Sequence, residues 1–138
     1  MPRILICTLF FLVIFLQGCT KVTQESVSKV GNGDYQVLVR SQEINGSGIH
    51  NVDICVARAS DSVFPRDKKQ CFFHGFDFAG LSVSWRSKNT VEVSFQCGRL
   101  DQFRNSAFVY SHGPVPEEFY ITLHDSCNAA ANLASRGK

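Results

Sequence analysis

Short runs of period-two alternation constrain the fold of this chain more than any other feature. Tyr35, Val37 and Val39 alternate with Gln36, Leu38 and Arg40. Val52, Ile54 and Val56 alternate with Asp53, Cys55 and Ala57. The same pattern carries Leu81, Val83 and Trp85, then Val91, Val93, Phe95 and Cys97, then Phe119, Ile121 and Leu123. A side-chain period of two is the mark of a strand with one buried face. Asn45-Gly46-Ser47-Gly48 and Ser87-Lys88-Asn89 supply turn chemistry between runs. No long 3.6-residue pattern precedes the C-terminal segment. The expected fold is mostly β, with six or seven antiparallel strands in a small sandwich or rolled sheet. Residues 81–97 form the clearest hairpin. Its two apolar rows must face one core, because a slip of one residue would turn every side chain over. Cys97 lies on that row, which suits a bridge packed inside. Trp85, the only tryptophan, reads first as a core aromatic and second as a recognition residue.

The first nineteen residues follow different rules. Arg3 is their only charge, and residues 4–16 are apolar except for Thr8. A membrane-crossing helix needs ~20 apolar residues, so the run is too short to span. A positive start, a short apolar stretch and a small residue before a cut describe a secretory signal peptide. The run ends in Leu16-Gln17-Gly18-Cys19. This resembles the lipobox of bacterial lipoproteins: an aliphatic residue, a small variable residue, Gly or Ala, then Cys. Gln17 is larger than the usual occupant. The resemblance implies cleavage before Cys19, a diacylglycerol on the Cys19 thiol, and a membrane-lipid anchor. Two or three acyl chains make such attachment stable, since one chain anchors only marginally. Thr20 rather than Asp after the cysteine implies the outer membrane, facing the periplasm. The resemblance covers these nineteen residues and leaves the folded domain open. The organisation read from the chain is a cleaved peptide over 1–18, a lipidated flexible tether over 19–34, a β-rich domain over 35–127 and a tail over 128–138.

The part retained after cleavage would hold thirteen Lys and Arg against twelve Asp and Glu. Its longest basic run is Lys68-Lys69. A nucleic-acid partner therefore has no electrostatic footprint. Of six cysteines, Cys7 would be discarded and Cys19 lipidated. Cys55, Cys71, Cys97 and Cys127 remain, an even number in an exported domain. Two disulfides are expected there. Proximity in the chain favours Cys55–Cys71 with Cys97–Cys127, while the other two connectivities stay open. No pair has the spacing of a zinc site.

Motifs for chemistry are sparse. His50, His74, His112 and His124 fall in no metal-binding pattern. No nucleophile motif and no paired carboxylates suggest an enzyme, and no cofactor is implied. Phe72, Phe73, Phe76 and Phe78 crowd around His74, Gly75 and Asp77. They read as a core strand with Phe72, His74, Phe76 and Phe78 on one row, or else as an apolar pocket. Segments 60–70 and 111–118 read as surface loops, where binding residues tend to sit. The candidate binding residues are Glu117, Glu118, His112 and Trp85. Arg40, Lys88 and the prolines read as guards of open sheet edges. The expected function is non-catalytic binding of another envelope or periplasmic protein, in one version as an inhibitor or immunity-type protein. Two other classes are an accessory subunit of an envelope assembly and a carrier of a small apolar ligand.

Overall fold

The structure, a computed structural model, describes residues 22–110 and 113–127. Within them lie nine strands: β1 (Val22–Asn32), β2 (Tyr35–Ile44), β3 (His50–Arg58), β4 (Cys71–Ala79), β5 (Ser82–Ser87), β6 (Thr90–Phe95), β7 (Cys97–Phe103), β8 (Ser106–Val109) and β9 (Glu117–Asp125). Sheet A has the order β1-β2-β3-β4-β7, and sheet B the order β5-β6-β9-β8. The mostly-β expectation holds. So do both disulfides, Cys55–Cys71 and Cys97–Cys127. One pair departs from a purely antiparallel arrangement: β6 and β9 run parallel. The chain leaves sheet B after Phe95, crosses to sheet A as β7, and returns as β8. That excursion brings β9 back in the same direction as β6.

The alternating runs meet in one core. Tyr35, Val37, Ile54, Val56, Phe72 and Phe73 from sheet A close on Val91, Val93, Phe95, Ala107, Val109, Phe119 and Ile121 from sheet B. The expected hairpin forms, with Val83 opposite Val93 and Trp85 opposite Val91. Each buried Val, Leu or Phe side chain contributes about 1.5–3 kcal/mol relative to exposure.

Three details correct the sequence reading. First, residues 22–32 are strand rather than tether. β1 pairs with β2 from Val22 opposite Ile44 to Asn32 opposite Tyr35. A two-residue turn joins them, with Gly33 at φ 64°, the glycine-first pattern of tight hairpins. β1 is an edge strand and exposes nearly its whole length, so it carries no apolar row to read. Second, Cys97 is exposed at the start of β7. The chain bends at Gln96, whose N–H donates to the Ala79 carbonyl at 2.9 Å, and the apolar row stops at Phe95. Third, Phe72, His74, Phe76 and Phe78 do not share a row. A register shift beside Cys55 turns both Phe72 and Phe73 into the core. A second irregularity at Asp77, φ 50°, turns Phe78 back inward. There it meets the rings of Phe73 and Phe95 at 4.8 and 4.9 Å. Phe76 stays on the outer face, where the Arg99 guanidinium lies 5.3 Å from its ring centroid.

Candidate functional site

The outer face of sheet A, turned away from the core, has two zones. Near the β1–β2 turn it is covered. Leu38, Cys55 and Ala57 are fully buried there, although their partners in alternation already fill the main core. The segment 59–70 covers them. Its ends are tied by the Cys55–Cys71 bridge and by Gln36, whose Nε2 donates to the carbonyls of Arg58 and Asp61, both at 2.8 Å. A disulfide closing a loop of this length contributes about 3 kcal/mol on the loop-entropy model.

Further along, the same segment arches over the sheet and leaves a cleft of about 800 Å³. Its floor follows one cross-strand row through all five strands of sheet A. Val27 lies opposite Arg40, Arg40 opposite Asp53, Asp53 opposite His74, and His74 opposite Gln102. Directly opposed residues point to the same face. The row is therefore a consequence of register alone.

Asp53 is the hub of this row. Its Oδ2 accepts from Arg40 Nη2 at 2.6 Å and Nε at 3.2 Å. Its Oδ1 faces His74 Nδ1 at 2.7 Å. An ionised carboxylate only accepts, so Nδ1 carries the proton and Nε2 is left as the outward ring nitrogen. Asp53 is one-fifth exposed and His74 about one-third. Phe64 of the arch stacks on Arg40, with the guanidinium carbon 4.1 Å from its ring centroid. Gln102, with its amide oxygen toward Arg104, accepts from Arg104 Nη2 and Nε at 3.2 Å. Arg66 and Lys68 complete the rim. Among the described residues, neither takes part in an ion pair. Glu25 is the one other carboxylate on the lining.

This is a preorganised polar floor beneath a basic, partly aromatic rim. It can receive a carboxylate or another acceptor at Arg66 and Lys68, and a hydrogen-bonding group at His74 Nε2. Apolar contact is available at Val27, Val63, Phe64 and Pro65. Among the described residues, no hydroxyl or thiol is hydrogen-bonded to His74. No group of three or more His, Cys, Asp or Glu side chains there is placed to hold a metal.

Of the candidate binding residues from the sequence, Trp85, Glu117 and Glu118 lie elsewhere. Trp85 is half-buried. Its Nε1 donates to the Val30 carbonyl at 2.9 Å, and its ring meets Phe119 edge-on at 5.9 Å. Glu117 and Glu118 open β9 and are exposed. Glu118 Oε2 accepts from the Tyr120 hydroxyl at 3.2 Å. Glu117 lines a shallow hollow with Tyr35, Arg58 and Ser60. Val115, just before them, is 78% exposed. His112 lies outside the described residues, as does Cys19. Arg40 does not guard an edge. It sits one strand in from it and is engaged with Asp53. Sequence reasoning missed the Arg40–Asp53–His74 row. The available signal was that Arg40 and Asp53 sit in the polar phase of alternating runs, while His74 falls on the row of Phe72, Phe76 and Phe78 and carried no such signal. No family model, no curated protein and no solved structure matches the chain.

Proposed function

We propose that this chain is a lipid-anchored binding protein of the bacterial envelope, and that it engages another envelope protein through the outer face of sheet A without carrying out chemistry. The anchor is Cys19, on the lipobox resemblance, with the outer membrane facing the periplasm as its place. One observation carries the binding reading. The Arg40–Asp53–His74 row is fixed by register and hydrogen bonds beneath an arch whose ends are tied by a disulfide. A floor that does not reorganise loses little entropy on binding, and a tied arch holds its contact residues at low cost. Arg66 and Lys68 select a partner that offers an acidic protrusion. Glu117 and Glu118, beside exposed Val115, form a second contact that favours a basic patch. An inhibitor or immunity-type protein uses a rigid surface in this way.

The test is retention from envelope extract on the immobilised protein, with mass spectrometry of what stays. A single soluble hydrolase or toxin, lost when Arg66→Glu and Lys68→Glu are combined, supports the proposal. A set of membrane-complex subunits points instead to an accessory lipoprotein. Retention unchanged by the double reversal rules out the cleft as the binding surface.

A further inference from the structure

We infer that the free edge of β1 is a self-association surface that joins two copies of this chain into one continuous sheet about a twofold axis through Val27. Each of the other three sheet edges is protected in a recognised way. β7 is interrupted by two register shifts and carries Arg99 and Asp101. β5 is six residues long, carries Arg86 and is followed by Lys88. β8 is four residues long. β1 has eleven residues, no proline, and an unbroken register with β2 from Gln24 to Asn32.

The hairpin fixes which backbone groups face out. Asn32 and Tyr35 flank the two-residue turn, so they form its closing hydrogen-bonded pair. Backbone bonding alternates along an antiparallel pair. Gln24, Ser26, Ser28 and Val30 therefore bond to β2, while Glu25, Val27 and Lys29 turn their N–H and C=O groups to the open edge. Glu25 and Lys29 stand two residues on either side of Val27. A second β1, antiparallel and centred on Val27, places Glu25 of each copy opposite Lys29 of the other, with the two Val27 side chains between them. Opposite charges directly across a strand pair stabilise it. Among the described residues, neither Glu25 nor Lys29 takes part in an ion pair within the chain. Val27 is 46% exposed. The union is isologous and closed, so it stops at two copies. It also completes the cleft, because Glu25 and Val27 form its lip and Lys29 of the second copy is brought beside them.

Sedimentation equilibrium of the protein produced from the full chain, in density-matched detergent, tests this. A dimer is expected. Glu25→Lys should weaken association at least tenfold, by setting lysine against lysine at both pairs. Adding Lys29→Glu should restore it to within about threefold of the parent. Val27→Pro removes an N–H that points outward, so it should leave the fold intact and abolish the dimer. If that variant fails to fold, the charge swap still decides. A monomer at the highest concentration reached, or a dimer that Glu25→Lys leaves unchanged, overturns the inference.

Discussion

At the scale of the residue, Asp53 decides the character of the cleft. It accepts from Arg40 twice and holds His74 Nδ1. Asp53→Ala leaves a guanidinium and an imidazole without their shared acceptor in a half-buried setting. We predict a loss of about 1–2 kcal/mol of stability in urea denaturation, in the range of hydrogen bonds to charged groups moderated by partial exposure. Gly75 is a second such position. A Cβ there would run into the Arg99 carbonyl oxygen and the Phe78 ring. Backbone cannot swing aside as a side-chain tip can, so Gly75→Ala should cost about 1–3 kcal/mol, the range for overpacking. Neither role could be read from the chain. Arg40 and Asp53 are visible as polar members of alternating runs, while His74 falls on a phenylalanine-rich row. Their opposition depends on strand order and register, which span up to 34 residues of sequence between Arg40 and His74. Gly75 in turn matters because β7 passes beside it and the Phe78 ring turns back over it.

At the scale of the element, legibility followed burial. Runs that bury one face, such as Val91–Val93–Phe95, carried the alternation that identified them. β1 buries neither face fully, and its valines at 22, 27 and 30 fall on both phases, so it read as a tether. β4 misled for the opposite reason. Its irregularities beside Cys55 and at Asp77 break the phase within one strand, and alternation cannot foresee a bulge. The β1 assignment predicts a pattern in amide exchange. Gln24, Ser26 and Ser28 should exchange slowly. Glu25, Val27 and Lys29 should exchange fast in the monomer and become protected on self-association. Uniformly fast exchange along 24–29 would show that β1 is not docked. For the arch, replacing Cys55 and Cys71 together by serine should lower stability by about 2–5 kcal/mol. The same change should weaken the binding proposed for the cleft, because the arch then has to be ordered on contact.

For the whole molecule, the alternation, turn residues and an even set of cysteines pointed to one answer, and agreement across such levels is what specifies a fold. The parallel β6–β9 pair was not legible, because it depends on where the chain changes sheets. The proposed binding face was hidden for a related reason. It is assembled from five strands and one loop, none of which is distinctive alone. The proposed function joins that face to the lipid anchor at Cys19, which predicts that Cys19→Ser releases the protein from the membrane fraction while leaving the fold unchanged. The most direct measurement is in-cell photo-cross-linking of the full chain, with a photoreactive residue at position 64 on the arch or, as a control, at exposed Ser84 on the far sheet. The account predicts a discrete adduct with an envelope protein from position 64, lost when Arg66 and Lys68 are both reversed to glutamate, and none from position 84. An adduct from position 84 with none from position 64 would contradict it.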